Sequence, residues 1–365
     1  MSLPGKAHAF LCGIPRAAAL CRYAAPNFST FMEELFMWNE ERIWEWYRRQ
    51  PWIAGFNYLP SNAVNSTAMW QEEVFDAALV ERELRAAAAV GYNACRVFVQ
   101  YILWKADKAA LFRCFDAFLR IASDCGIRVM PILFDDCAFA FKEPYLGPQD
   151  EPAPGIHNSC WTPSPGFHHA DDPAEQPLLQ AYVTDFVTRY RTDERILLWD
   201  LYNEPCNSGR EEKSLPLLKN VFAWARACDP AQPLTSGAWR IGCCDDACFA
   251  LSDIISFHDY RPFAATEEYV AAVEKYGRPM LCTEWLHRPV GCRMESHLPF
   301  YREKGIGVFQ WGLVAGKTQT YLNWDATQNP KEGLPEVWQH DVFYPDLTPY
   351  REEELQLVAS LTGTK

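Results

Sequence analysis

Eight short runs of apolar residues recur along the chain, and helical periodicity follows most of them. The runs are rich in β-branched and aromatic residues, which is typical of strands. They cover residues 53–61, 94–100, 128–135, 196–205, 233–239, 253–260, 278–285 and 306–313. Because these runs are apolar almost throughout, they predict a parallel sheet that is buried on both faces.

The intervening segments place apolar residues at helical spacing. They cover residues 72–90, 108–125, 176–191, 215–228, 266–276 and 294–304. Eight repeats of strand and helix predict an α/β fold in which a (β/α)8 TIM barrel closes on itself. The alternative is an open doubly wound sheet, which usually carries a glycine-rich phosphate loop after its first strand. The first run has no such loop, and Gly316-Lys317-Thr318 lacks P-loop spacing because only three residues separate Gly312 from Gly316.

The interval after the third strand contains a proline-rich loop at residues 142–177, which holds eight of the 26 prolines. At the carboxyl end of a barrel such a loop would overhang the active site, and a simple surface excursion is the alternative. We expect one catalytic barrel over residues 51–365. Residues 1–50 are an N-terminal extension that packs on the barrel, and residues 338–365 supply a closing loop and the last helix.

Composition narrows the class of protein. The 365 residues are 49% hydrophobic and 22% charged, as in ordinary globular proteins. The net charge of −13 disfavours nucleic acid and anionic membranes as partners, because both are bound by clustered Lys and Arg. No apolar stretch is long enough to predict a membrane-spanning helix.

The 14 cysteines are spread over a chain with a large core of its own. Several lie in apolar runs, which predicts that most are reduced and buried: Cys95, Cys125 and Cys282. This favours the cytoplasm, with secretion as the alternative. Near the N-terminus, Pro15 and Arg16 interrupt the apolar stretch before it reaches the length of a signal peptide, so the sequons at Asn27 and Asn65 carry little weight. The cluster Cys243, Cys244 and Cys248 fits no zinc spacing.

Polar residues end the predicted strands, where a barrel gathers its active site. They are Asn57, Tyr58, Arg96, Gln100, Asp135, Asp136, Asn203, Glu204, Trp239, His258, Tyr260, Glu284 and Trp311. Two glutamates on opposite strands, Glu204 and Glu284, are what glycoside hydrolysis needs: one protonates the leaving oxygen and the other attacks the sugar. Arg96 and the pair His258 and Tyr260 would hold the two carboxyls in different protonation states.

Several of these motifs resemble the clan A glycoside hydrolases, especially the cellulase-like family 5. The run WDLYNEP at 199–205 resembles the Asn-Glu-Pro signature that carries the general acid/base after strand four, and LCTEW at 281–285 resembles the strand-seven nucleophile motif. The other matching positions are Arg96, His258, Tyr260 and Trp311. The resemblance covers about residues 53–313.

The resemblance implies a retaining hydrolase in which Glu284 is the nucleophile and Glu204 the acid/base. It implies that Asn203 binds the substrate 2-hydroxyl, that Arg96 and Tyr260 orient Glu284, and that neither a metal nor an organic cofactor takes part. Family 5 members usually carry a histidine at the end of strand three, whereas this chain has Asp135 and Asp136. That departure places both residues, with Asn57, among the candidates for binding the sugar. The strand-eight loop at 312–320 favours relatives that act on short β-mannosides.

Three alternatives stay open. The first is an endo-β-1,4-glucanase or endo-β-mannanase with an open cleft for polymers, which an overhanging 142–177 loop would disfavour. The second is a catalytically inactive, carbohydrate-binding barrel. The third is a metal-dependent hydrolase that uses His258 with Asp135 and Asp136, although metal barrels need several histidines at strand ends.

Overall fold

The protein is a closed barrel of eight parallel strands, described in a computed structural model for residues 37–239, 242–327 and 329–364. Each strand pairs with the next along the chain, and the eighth pairs with the first. The strands are β1 (Ala54–Asn57), β2 (Ala94–Phe98), β3 (Arg128–Asp135), β4 (Trp199–Asn203), β5 (Leu234–Ala238), β6 (Ile255–His258), β7 (Met280–Glu284) and β8 (Gly307–Trp311). All eight lie inside the apolar runs, so the predicted (β/α)8 barrel is confirmed.

Helices surround the barrel and connect its strands. They are α1 (Glu40–Arg48), α2 (Ser66–Trp70), α3 (Ala77–Ala89), α4 (Tyr101–Asp124), α5 (Phe167–Asp171), α6 (Gln176–Tyr190), α7 (Leu215–Ala227), α8 (Cys243–Leu251), α9 (Phe263–Val273), α10 (Met294–Glu303) and α11 (Glu352–Thr362). Each of the six predicted helical segments overlaps a helix. None of the helices among the described residues is long and apolar enough to cross a bilayer.

Helix α4 begins seven residues before the predicted segment. The backbone leaves the helical conformation at Asp107, whose φ is −151° and ψ is 87°. The Asp107 carboxylate accepts hydrogen bonds of 3.0 Å from the amides of Ala109 and Ala110, as an N-cap does. The second part of α4 therefore begins at residue 108, where the hydrophobic pattern places it.

The amino-terminal end of the barrel is closed by α1 and the residues around it. Ile43 and Trp38 are buried there against Ile53, Leu281 and other apolar side chains near the beginnings of the strands. The amide of Trp38 also donates to Asp253 Oδ1 at 2.9 Å. This arrangement leaves the opposite end of the barrel, where the strands have their carboxyl ends, uncovered by α1. Residues 1–36 of the predicted extension, with Asn27, lie outside the described residues.

Cys206 and Cys244 form a disulfide between the segment after β4 and α8, a pairing that the sequence does not predict. Nine other cysteines of the described chain are free. Cys95 and Cys282 are buried in the core as predicted, whereas Cys125, at the end of α4, is only partly buried. The sequon residue Asn65 is also buried, where it caps α2 by accepting from the Ala68 amide at 2.9 Å.

Candidate active site

Two glutamates face each other at the carboxyl end of the barrel. Glu284 ends β7, and Glu204 follows β4; they are 6% and 7% exposed. One oxygen of each carboxylate and one ring nitrogen of His258 lie within 4.8 Å of one another. Glu204 has a φ of +44°, which is uncommon for a residue with a side chain, and its amide donates to the carbonyl of Gly237 at 2.9 Å.

Arg96, fully buried on β2, connects the base of the site. Its Nη1 donates to Glu284 Oε1 at 2.8 Å and to Asn57 Oδ1 at 2.7 Å. Its Nη2 donates to Asn203 Oδ1 at 2.5 Å and to Asp200 Oδ2 at 2.6 Å. A guanidinium offers five N–H donors in a fixed plane, so a single side chain orders polar groups from β1, β4 and β7.

Asp200 is the residue of this network that the sequence analysis missed. Strict strand alternation would point residues 200 and 203 to opposite faces. The register between β4 and β5 shifts between Asp200 and Asn203, and both side chains reach Arg96. The available signal was a single carboxylate within an otherwise apolar strand, which calls for a buried partner.

His258 and Tyr260 complete the carboxylate environment from the end of β6. The Nδ1 atom of His258 lies 2.5 Å from Glu204 Oε1 and 3.5 Å from Glu284 Oε2. Tyr260 donates its hydroxyl to Glu284 Oε2 at 2.8 Å. Burial lowers the pKa of His258 to about 4, so the imidazole is neutral at physiological pH.

The two glutamates differ in their neighbours. Burial raises the pKa of both carboxyls above the ordinary range. For Glu284 the charge of Arg96 and the hydroxyl of Tyr260 act against burial and favour the ionised form. The charge of Arg96 acts in the same direction on Glu204, but of the two glutamates Arg96 donates a hydrogen bond only to Glu284, and among the described residues no lysine or arginine pairs directly with Glu204. Glu204 is therefore the carboxyl better placed to carry a proton.

The adjacent residues Asp135 and Asp136 point to different surroundings. Asp135 Oδ1 accepts from Asn203 Nδ2 at 2.8 Å, and its Oδ2 accepts from Trp161 Nε1 at 2.8 Å. Asp136 accepts from the Tyr202 hydroxyl and the Cys206 amide, both at 2.8 Å, behind β4. Burial raises the pKa of Asp135 to about 7 and that of Asp136 to about 6.

These contacts give the two aspartates different places in the site. Asp135 lies next to the site, because it accepts a hydrogen bond from Asn203 and so holds that side chain beside the glutamates. Asp136 instead fixes the segment that follows β4. The third alternative, a metal held by His258 with both aspartates, therefore lacks its geometry. Within the described residues, the only three groups close enough to share an ion are Glu204, His258 and Glu284. The positive charge of Arg96 beside them disfavours a second cation.

Other strand-end residues make hydrogen bonds that connect the strands and loops around the site. Asn57 donates to the Thr283 carbonyl at 2.8 Å while accepting from Arg96. The hydroxyl of Tyr58 donates to Glu83, and Gln100 donates to the carbonyl of Pro163. Trp239 donates its indole N–H to the Pro205 carbonyl at 3.3 Å.

Two groups of aromatic rings lie around the mouth of the site. Trp311, partly exposed at the end of β8, packs edge-on against Phe98 and Trp161, with ring centroids 5.6 and 5.7 Å away. Across the site, Trp324 packs against Tyr260 at 4.8 Å and His287 at 4.6 Å. Sugars bind to such rings through their apolar faces. Trp311 is among the strand-end residues named from the sequence, whereas Trp324 is not.

The proline-rich loop is fastened to the loop that follows β8. The amide of Asn158 donates to the Thr318 carbonyl at 2.8 Å, and that of Gly155 to Gln319 Oε1 at 2.9 Å. The ring of His157 is bonded to the Leu322 carbonyl at 2.8 Å. Because β3 and β8 are separated in the barrel by β1 and β2, the joined loops bridge one side of the mouth.

No protein-family model and no curated protein matches the chain. Solved structures do match it. The exo-β-1,4-mannosidase Op5Man5 from Opitutaceae bacterium strain TAV5 has a TM-score of 0.60 and 16% identity, over 85% of this chain and 59% of that one. A GH5_18 structure from Streptomyces cattleya in complex with GlcNAc has a TM-score of 0.56 and 12% identity, over 85% and 80%.

A third match is the endo-β-1,4-mannanase from Thermotoga petrophila, with a TM-score of 0.55 and 13% identity over 87% of this chain and 77% of that one. The chain thus spans less than two thirds of the first of these proteins and about four fifths of the other two. At such identities the matches show a shared fold. They agree with the (β/α)8 barrel predicted from the sequence.

Proposed function

We propose that the protein is a retaining β-glycoside hydrolase of clan A, similar to family 5, that acts on short β-linked oligosaccharides and prefers β-mannosides. The observation that carries this proposal is the facing pair Glu204 and Glu284 in unequal surroundings. Glu284 is held by a guanidinium and a phenol. Glu204 is held by the neutral imidazole of His258, the thiol of Cys137 and the amide of Asn207. One nucleophile and one proton donor are what double displacement requires.

In the first step Glu284 attacks the anomeric carbon and forms a glycosyl ester. Glu204 gives its proton to the departing glycosidic oxygen, so the leaving group departs as a neutral alcohol. In the second step Glu204 takes a proton from water, the hydroxide adds to the anomeric carbon, and the ester bond to Glu284 breaks. Two inversions leave the configuration unchanged.

The spacing of the carboxylates supports retention. Retaining enzymes keep the two carboxyl groups about 5–5.5 Å apart, whereas inverting enzymes need about 6.5–9.5 Å to place a water between nucleophile and sugar. The closest oxygens of Glu204 and Glu284 lie within 4.8 Å. An approach this close favours the retaining arrangement over the wider inverting one.

The bridged mouth supports a short substrate. A polymer needs a cleft that is open at both ends, and the joined loops after β3 and β8 obstruct one side. Among the proteins of similar fold, one is named an exo-β-1,4-mannosidase and another was solved as a variant in complex with Manβ1-4GlcNAc. These names support β-mannosides as the first substrates to test, ahead of glucan or mannan polymers.

The test is product analysis on short manno-, gluco- and xylo-oligosaccharides and on Manβ1-4GlcNAc, with Glu284→Ala as the blank. Release of mannose in its β-anomeric form by the wild type, absent in the variant, is the expected result. An initial α-anomer contradicts the retaining mechanism. Release from the interior of mannan favours the endo-acting alternative. No hydrolysis of any β-linked oligosaccharide contradicts the proposal and favours the carbohydrate-binding barrel.

A further inference from the structure

A cysteine thiol contacts the carboxyl that we propose as acid/base. Cys137 follows the end of β3 by two residues and is partly buried at the mouth of the site. Its thiol donates to Glu204 Oε2 at 3.1 Å. The sulfur accepts from Asn207 Nδ2 at 3.5 Å and from Asn203 Nδ2 at 3.6 Å. Asn207 Nδ2 also donates directly to Glu204 Oε2, so the thiol and this amide hold the same carboxyl oxygen.

We infer that Cys137 is a positioning residue that, together with Asn207, fixes Oε2 of Glu204 and favours its ionised form, so that Oε1 faces His258 and the glycosidic oxygen. The inference rests on the proposed function for its catalytic meaning. The role is distinct from that of His258, which contacts the other oxygen of the carboxyl at 2.5 Å.

The backbone around Glu204 explains why such a contact is needed. Glu204, Cys206 and Ser208 all have positive φ, at +44°, +75° and +49°, so this segment follows no regular element that would fix its side chains. Its position is set by cross-loop bonds. The amide of Ala138, next to Cys137, donates to Ser208 Oγ at 3.0 Å. The loops after β3 and β4 therefore hold one another at the point where the proton must be transferred.

The thiol of Cys137 remains a hydrogen-bond donor while Glu204 changes its protonation. Burial and the nearby carboxylates raise the pKa of Cys137 well above its usual range, so the sulfur keeps its proton while Glu204 titrates. A donor that never ionises in the working range stabilises the Glu204 carboxylate whenever it forms. It therefore opposes the effect of burial, which raises the pKa of Glu204. The second step needs Glu204 as a base, and this bond serves that step.

The first experiment compares pH profiles of kcat/KM for Cys137→Ala, Cys137→Ser and the wild type. Because a thiol is a weak donor and Asn207 still donates to Oε2, loss of the Cys137 bond should move the alkaline limb of Cys137→Ala upward by about half to one pH unit. Cys137→Ser, which restores a donor, should return most of that shift. The matched control is Cys125→Ala, at the opposite end of the barrel after α4, which should leave the profile unchanged. An alkaline limb that is the same in Cys137→Ala and wild type overturns the inference.

The second experiment reads the contact without turnover. An infrared difference spectrum between the wild type and Cys137→Ser isolates the S–H stretch of Cys137. We expect this band to shift as Glu204 titrates and to move in Glu204→Gln. A band that ignores both changes overturns the inference, whatever the activity. A responsive band in a protein that hydrolyses no glycoside supports the contact and contradicts the proposed function, so the two failures are separable.

Discussion

The hydroxyl of Tyr260 donates a hydrogen bond of 2.8 Å to Oε2 of Glu284. Because Arg96 donates to the other oxygen, the carboxylate is fixed at both ends, with one face turned to the pocket. Tyr260→Phe removes this donor and keeps the ring. A hydrogen bond to a charged group contributes about 1.5–3 kcal/mol, so we expect kcat to fall about 10- to 100-fold.

The measurement is steady-state hydrolysis of an aryl β-mannoside together with thermal unfolding. The matched control is Tyr276→Phe, whose hydroxyl donates to Asp246 at 2.9 Å, away from the carboxylate pair. Activity of Tyr260→Phe equal to that of the control would show that this bond does not support the nucleophile.

Glu204→Ala should act selectively on the leaving group. General acid catalysis contributes about 10²- to 10⁴-fold, and a good leaving group such as dinitrophenolate needs no proton. We expect the first step to slow by that factor for a disaccharide and far less for the dinitrophenyl glycoside. Pre-steady-state bursts and azide rescue measure the two steps. Equal losses on both substrates would assign the acid to another residue.

Gly237→Ala should displace side chains that contact the two glutamates. A Cβ at this position on β5 would lie 2.9 Å from His258 Nε2 and 3.1 Å from Arg96 Nη2. Overpacking of this kind costs about 1–3 kcal/mol of unfolding free energy, and the displaced side chains should also reduce kcat at least tenfold. Urea unfolding and kinetics test both effects. Gly242→Ala, which meets no atom within 4 Å, is the control, and a fully active Gly237→Ala would contradict the packing argument.

The Cys206–Cys244 disulfide ties the segment after Glu204 to α8 across 38 residues of sequence. Closing a loop of that length stabilises a protein by about 2–4 kcal/mol in the chain-entropy model. We expect reductant to lower the free energy of unfolding of the wild type by that amount and to leave Cys244→Ser unchanged. Cys228→Ser, which removes a free cysteine, should respond to reductant as the wild type does. A wild type indifferent to reductant would mean that the bond does not form.

His157 makes the joined loops sensitive to acid. Burial lowers the pKa of His157 from 6.5 to about 4. Below pH 6.5 the unfolded chain binds a proton that the folded chain does not, so stability is lost as the pH falls towards 4. This amounts to about 2 kcal/mol at pH 5.

His157→Gln removes this titration while keeping a group that can donate to the Leu322 carbonyl. We expect its free energy of unfolding to fall less between pH 7 and pH 5 than that of the wild type, by about the same 2 kcal/mol. Urea titrations at both pH values measure the difference. The control is His168→Gln, at an exposed position beside Glu143. Identical pH dependence in His157→Gln and wild type would refute a buried neutral imidazole.

The sequence predicts the start of a helix correctly where a residue at that start favours it. Helices α6 and α7 begin at the predicted residues 176 and 215, and each has a proline in its first turn, where the missing N–H costs nothing. Helix α8 was missed, since its nine residues carry two adjacent aspartates and little apolar periodicity. The start of α4 was missed because its first turn depends on packing rather than on spacing.

The sequence likewise predicts some residues of the site and not others. Glu204, Glu284 and Arg96 could be named from the sequence because strand ends converge in any parallel barrel. Asp200 and Cys137 were not named, because neither ends a strand. Asp200 reaches Arg96 through a register shift that no spacing predicts, and the contact of Cys137 with Glu204 depends on how two loops meet.

The sequence by itself determined the barrel, because eight apolar runs alternating with helical segments can bury their surface in few other ways. It also determined which strands end in carboxylates. Only the tertiary structure decided what each polar group does. Asp135 and Asp136 are neighbours of the same type, yet one holds Asn203 beside the glutamates and the other anchors the segment behind β4. Consecutive side chains leave a strand in opposite directions, and what each one meets is set by chain segments distant in sequence.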